Sequence, residues 1–328
     1  MKNPTKLTLS FIILFIHFNA FSQKCPQAKS FKGDRNLSEL SAGIGASHYF
    51  GDLNAINVTN KRIIGELHSE QLNPVVSVDY RYYFSHIANL RVGFLYTRLN
   101  GSDQFNAVQE DFSAPWFRKY RNLTFRSDIL ELSALFELNL LGFEPGNFKR
   151  VVSPYILAGA GVIYFNPKAP YNEELYNHHP GEKNILMSNP DYSNSEWIRL
   201  QPLGTEGQGL PGYPDKYSLV QPIFIGGVGL KFNISSSWSL TVETAHHFTL
   251  TDYLDDVSTV YSDEQIFFQH YDPEKAQLIS NLSARSKEID PSGEYNYITA
   301  TGQQRGSPKY KDSFLTSFVS AGYTFQKK

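Results

Sequence analysis

Four pairs of neighbouring residues in this 328-residue chain have side chains suited to acid–base, nucleophilic or metal chemistry: Ser47 with His48, His178 with His179, His246 with His247, and Asp255 with Asp256. A hydrolase needs its nucleophile within hydrogen-bond reach of a histidine, with that histidine oriented by an acid. Ser47 and His48 are adjacent, and an extended chain sends adjacent side chains to opposite faces, so they cannot meet without a bulge. The same holds for His246 and His247, while His178 and His179 fall in a polar loop where a surface pair is expected. Asp255 and Asp256 could hold calcium, but their spacing does not match an EF-hand, and paired acids at a strand end are ordinarily solvated. These residues point away from catalysis, and the sequence implies no cofactor and no metal.

A second group of charged residues repays more attention. Glu39, Asp79, Arg81, Arg91, Glu131, Glu137, Lys231 and Glu243 each interrupt a stretch of alternating apolar residues, always on the face that carries the small and polar side chains. Acids and bases are both present, so a salt-bridged network is expected if that face is buried, since buried charges must pair or neutralise. An ion or proton path along the same column is the alternative.

The elements that must carry these residues are eight alternating stretches, at about 38–50, 75–84, 89–98, 128–140, 154–165, 223–234, 238–250 and 314–325. In the first, Leu40, Ala42, Ile44, Ala46 and Phe50 share one face, opposite Glu39, Ser41, Gly43, Gly45 and Ser47. In the fourth, Leu130, Leu132, Ala134, Phe136 and Leu138 oppose Glu131, Ser133 and Glu137. Period two with one apolar and one small or charged face suits strands between lipid and a crowded lumen. Only a closed barrel leaves no edge hydrogen bonds unmade in hydrocarbon. The fold expected is all-β: an eight-stranded antiparallel transmembrane barrel of the outer-membrane type, with long extracellular loops. A soluble sandwich would present a more polar outer face.

Connection lengths set the topology. The links after strands two, four and six are short, whereas 51–74, 99–122, 166–219 and 251–312 are long. Short links belong to the periplasm, so both termini are expected there and the long loops outside. Loops of this length are seldom structureless, and they are expected to fold over the barrel mouth. Residues 1–22 read as a secretory signal: Lys2 and Lys6 precede an apolar run from Leu7 to Phe21, and Ala20 and Ser22 set a cleavage pattern. A short periplasmic segment would follow over 23–37, holding the lone Cys25, which can form no internal disulfide.

Composition agrees with this picture. The chain has 20 tyrosines and 24 phenylalanines against 2 methionines, as suits hydrophobicity spread thinly through alternation. A net charge of −2 gives no basic footprint for nucleic acid. The six N-x-S/T sequons, at Asn36, Asn57, Asn100, Asn122, Asn233 and Asn281, do not imply glycosylation. Aromatic stretches 116–120 and 295–297 are candidates for glycan or protein contacts.

Several short motifs lie near strand ends and in loops: Ser47 to Leu53, with Tyr49, Gly51 and Asp52; Arg121 to Phe125; Pro202 to Leu210, with Gly204, Glu206, Gly207 and Gly209; and Thr251 to Ser258, with Asp252, Asp255 and Asp256. Together they resemble the uncharacterised outer-membrane barrels of Bacteroidota that include the type IX secretion component PorG. That resemblance covers most of the mature chain and implies a single-domain barrel without known enzymatic activity. It also implies a structural or interaction role beside a secretion or gliding apparatus. The partners expected are outer-membrane lipid and lipopolysaccharide, and periplasmic ring or lipoprotein components. A loop-mediated surface-binding or adhesion barrel is the alternative, and a lipid-modifying or proteolytic enzyme a remote one.

Overall fold

The computed structural model describes residues 37–54, 72–105, 111–176, 192–290 and 292–326. The signal expected at 1–22, the segment expected at 23–37, up to residue 36 and with Cys25, the sequons at Asn36 and Asn57, and the pair His178 and His179 lie outside the described residues; Leu37 already belongs to the first strand.

Eight strands form the barrel: β1 (Leu37–Phe50), β2 (Asn73–Tyr83), β3 (Ala88–Ser102), β4 (Thr124–Asn139), β5 (Val152–Tyr164), β8 (Val220–Asn233), β9 (Trp238–Thr249) and β10 (Ser313–Gln326). They pair antiparallel around the ring, β1 lies between β2 and β10, and the pairing of β3 with β4 completes closure. Two further short strands, β6 (Pro167–Tyr171) and β7 (Glu196–Arg199), extend the sheet beyond the barrel from β4. The chain is therefore a closed, outer-membrane-type, eight-stranded antiparallel barrel. No helix among the described residues is long and apolar enough to cross a membrane.

The outer wall shows why the sequence closes in this way. Leu40, Ile44, Val76, Val78, Phe94, Leu132, Phe136, Val162, Phe224, Val228, Val242 and Val319 all point outward and are exposed. Each would forgo about 1.5–3 kcal/mol of burial in water, so a dozen of them make this a lipid-facing wall. At the end carrying the short turns, Trp238 and Tyr323 meet edge to face with centroids 5.3 Å apart, as in an interfacial aromatic girdle.

The lumen is filled in layers. Toward the short-turn end lie the charged residues; toward the long-loop end, Leu99, Ile129, Ile163, Ile223, Phe314 and Tyr49 form an apolar layer, all fully buried. An eight-stranded barrel is just wide enough to be filled by side chains in this way.

Two expectations need correction. The third and fourth strands run past the limits read from alternation, to Ser102 and from Thr124, so the loop expected at 99–122 is shorter. The loop expected at 166–219 contains the β6–β7 hairpin; Pro167 and Pro170 mask it, because proline is confined to edge strands. The last long loop, 251–312, contains two helices, and the second contains one. These are α1 (Ala114–Arg121), α2 (Glu264–His270) and α3 (Pro273–Ser283), each capped by the side chain of Ser113, Asp263 or Asp272.

Candidate functional site: a charged lumen beneath a polar cap

All eight charged residues singled out in the sequence lie in the barrel interior, almost wholly excluded from solvent. Seven of them form one network. Arg81 pairs with Glu39 at 2.7 Å and Glu137 at 3.2 Å; Arg91 pairs with Glu243 at 2.7 Å, Glu137 at 3.2 Å and Asp79 at 3.8 Å. Lys231 reaches Glu137 at 2.5 Å, so that one carboxylate receives three cations. Neutral donors complete the set: Tyr83 donates to Glu39 at 3.1 Å, Ser239 to Glu39 at 2.8 Å, and Tyr155 to Glu243. Charges in a dry interior are tolerable when they are paired and largely hydrogen-bonded; here Arg81 Nη2 and Arg91 Nε are enclosed without a hydrogen bond, the latter 3.8 Å from Asp79.

Glu131 belongs to a separate cluster nearer the mouth. His247 Nδ1 lies 2.8 Å from Glu131 Oε2, and His247 Nε2 lies 3.0 Å from Thr316 Oγ1. This is the order of an acid, a base and a hydroxyl, and all three are buried in the filled lumen. Adjacency separates the other candidate pairs as strand geometry requires. Ser47 points inward, with its hydroxyl 2.7 Å from that of Thr97, while His48 lies against the ring of Phe50 with centroids 4.9 Å apart. His246 packs outward on Phe248 while His247 turns inward.

Above the apolar layer, the four loop motifs converge. Tyr49, at the end of β1, donates to Asp312 Oδ1 at 2.9 Å; the other oxygen of Asp312 accepts from the Leu254 amide at 2.8 Å. Gly51 permits this approach, since a Cβ there would collide with the Tyr49 hydroxyl and the Asp312 carboxylate. Asp52 accepts from the Ser307 amide at 2.7 Å. Asp255 accepts from the amides of Leu53 at 3.3 Å and Val257 at 3.0 Å, tying the first loop to the last.

The glycine-rich segment joins at the same point. Gly204, Gly207 and Gly209 adopt φ of 69°, 86° and 83°, a left-handed conformation that favours glycine, and wind the chain from Pro202 into a compact turn. That turn presents Glu206, which accepts from the Ser258 amide at 2.9 Å, the Thr259 hydroxyl at 2.7 Å and Arg305 at 3.0 Å. Asp256 accepts from Thr205 at 2.5 Å and Tyr217 at 2.6 Å, while Asp252 accepts from the Ser258 hydroxyl at 2.8 Å. Arg121 donates twice to Asp103, at 2.7 and 2.8 Å, and to the backbone oxygens of Arg305 and Asp52. Behind this polar knot, Ala169, Leu200, Leu203, Leu210, Phe267 and Ile279 pack the hairpin, the glycine-rich turn and the two helices together.

Burial here is the opposite of what paired acids at a strand end lead one to expect: Asp255 and Asp256 are enclosed, not solvated. Burial pushes Asp252 up to about 7 and Asp256 up to about 6, the latter despite the nearby Arg305. Asp255 and Asp312 are also raised well above the ordinary carboxylate range, first by burial, then by the charges of Asp52 and Asp255 respectively. Among the described residues, no group of three or more histidine, cysteine or acidic side chains is arranged to hold a metal. The stretch 116–120 likewise differs from expectation, since Trp116 and Tyr120 are buried and pack with Tyr295, leaving Phe112 and Phe117 outside. Sequence reasoning missed Arg305, Asp312 and Asp103, which sit in stretches without a recognisable pattern, and Thr205, which lies inside the glycine-rich motif but was not singled out there.

Residues 25–187 match a family described as a domain of unknown function (DUF6089). No curated protein matches the sequence. Similar solved structures include Ail, the attachment invasion locus protein of Yersinia pestis, at 12% identity over 89% of this chain and 100% of that one, with a TM-score of 0.34. The outer membrane protein OprG from Pseudomonas aeruginosa is similar at 6% identity over 89% and 97%, with a TM-score of 0.36. The outer membrane enzyme PagL is similar at 12% identity over 87% and 98%, with a TM-score of 0.29.

Proposed function

We propose that the protein is a non-enzymatic, sealed barrel of the outer membrane that acts as a structural or interaction component, of the kind found in a type IX secretion or gliding apparatus. The observation that carries this reading is the double seal: a lumen filled by an ion-pair network, then an apolar layer, then a cap in which four distant motifs bind one another. Residues so arranged hold surfaces in place; they neither conduct nor turn over a substrate. On this reading the short turns and both termini face the periplasm, where ring or lipoprotein components dock, and the cap faces outward. The exposed Lys149, in the turn between β4 and β5, is a natural contact for such a partner, beside the half-buried Arg150.

A second reading, a loop-mediated surface-binding barrel, is favoured by Phe112. Its ring is exposed although its backbone holds φ 58°, an unusual conformation for a bulky residue, and it rests on Trp116 with centroids 4.7 Å apart. Affinity purification from solubilised outer membranes, with crosslinks mapped to residues and secretion assayed in a deletion strain, separates the two. Crosslinks to ring or lipoprotein components at 140–151 together with lost secretion are expected; normal secretion with crosslinks only through the cap would leave the second reading.

A further inference from the structure

Cations on the outer wall are confined to one side of the barrel. Of the outward-facing positions on the eight barrel strands, Arg98 and Arg126 are the only arginines or lysines among the described residues. The β6–β7 hairpin continues the same sheet and aligns Arg126 with Lys168 and Lys168 with Arg199, making a row of three cations across three strands. Arg98 stands in the neighbouring row beside Asp128, which it meets at 2.8 Å. Asp128 also takes Lys168 at 3.5 Å and the Tyr96 hydroxyl at 3.0 Å, so the carboxylate meets two of the four cations.

Arg126 is held ready rather than paired. Its guanidinium lies 3.8 Å from the ring centre of Trp197, and its Nε is enclosed without a hydrogen-bond partner. Arg199 is exposed at the end of the row. Directly below, Tyr96, Leu130 and Tyr164 pair across β3, β4 and β5, and the apolar wall begins there with Phe94, Leu132 and Val162. The cations therefore stand just beyond an aromatic row that marks the edge of the hydrocarbon.

We propose that this ledge binds the phosphates of an anionic glycolipid headgroup in the leaflet at the long-loop end, with the acyl chains lying along the wall beneath. Arginine matches phosphate with paired donors, and the Trp197 stack fixes the plane of one guanidinium in advance. A lipid is favoured over free phosphate because the cations adjoin a lipid-facing surface and not the interior. The inference rests on the outer-membrane location proposed above.

The full chain, reconstituted in phosphatidylcholine nanodiscs doped with lipid A or with dephosphorylated lipid A, tests it by native mass spectrometry of the retained lipid. Lipid A is expected to be retained at least about tenfold over the dephosphorylated form. Arg126→Gln with Arg199→Gln should abolish that preference, whereas Arg126→Lys with Arg199→Lys, which keeps the charge but loses the paired donors and the Trp197 stack, should keep only part of it. Heat-dependent gel migration reports that each variant is folded, and Arg199→Gln alone, at an exposed position, provides a variant that leaves the packing intact. Equal retention of the two lipids by the wild type, or an unchanged preference in the glutamine variants, overturns the proposal. Displacement of lipid A by inorganic phosphate at matching concentration overturns the headgroup as the ligand. Fractionation keeps the premise separate: a wild-type protein absent from the outer membrane overturns the location, while one present there without lipid A preference overturns only the ledge.

Discussion

The Arg305 guanidinium donates to the Glu206 carboxylate at 3.0 Å, joining the glycine-rich turn to the last loop across 99 residues of sequence. Arg305 also donates to the backbone oxygens of Asp256 at 2.5 Å and Ser283 at 3.3 Å, so a single side chain gathers three segments of the cap. Removing one member of a buried pair leaves the other charge uncompensated, at a cost of about 3–5 kcal/mol. Arg305→Ala is therefore expected to open the cap while leaving the barrel formed. Limited proteolysis of intact cells would show the loops cut faster, with a protected core of unchanged size; loops as resistant as the wild type would refute the assignment.

Acidity should tighten the same cap. Asp252 and Asp256 titrate near 7 and 6 in the folded protein, against about 4 in an unfolded chain. Between those limits the folded cap binds more protons than the unfolded one, so its stability falls as pH rises through that window and grows as pH drops toward 4. Loop proteolysis with a protease active at both values should be slower at pH 5 than at pH 8. Asp252→Asn should flatten the upper part of the profile, and a steeper loss of protection at pH 5 would contradict this account.

Glu137 takes Lys231, Arg81 and Arg91 at once, so Glu137→Ala should cost about 3–5 kcal/mol and lower the temperature at which the barrel loses its heat-resistant gel migration. Charge-neutral repacking of the whole cluster would be milder. In planar bilayers the wild type is expected to show no steady conductance, because paired side chains and the apolar layer occupy the lumen. Stable channels from the intact protein would speak for the ion-path alternative.

His247, Glu131 and Thr316 offer a sharper test of whether the barrel has an activity. Purified outer membranes carrying wild type, His48→Ala, His247→Ala or Thr316→Val should release acyl chains at indistinguishable rates. A deficit in any one of these variants would revive the enzyme reading.

Strands were the most legible part of the chain, because lipid on one side and a packed lumen on the other impose period two along every barrel strand. The same alternation placed Glu39, Asp79, Arg81, Arg91, Glu131, Glu137, Lys231 and Glu243 on the inner face, although their individual partners depend on barrel shear and cannot be read from one strand. Beyond the membrane that constraint lapses. The β6–β7 hairpin is short and proline-bearing, and α2 and α3 are stabilised by packing against it more than by a strong periodicity of their own. Asp255 and Asp256 read as solvated from sequence because their burial comes from Leu53, Tyr217 and Arg305, all distant along the chain.

The apolar layer formed by Leu99, Ile129, Ile163, Ile223 and Phe314 separates two charged storeys. The upper storey can therefore be rebuilt on its own: grafting a foreign set of loops above Leu99 and Ile223 should leave assembly of the barrel intact, making the lower storey a reusable foundation on which surface chemistry can diversify.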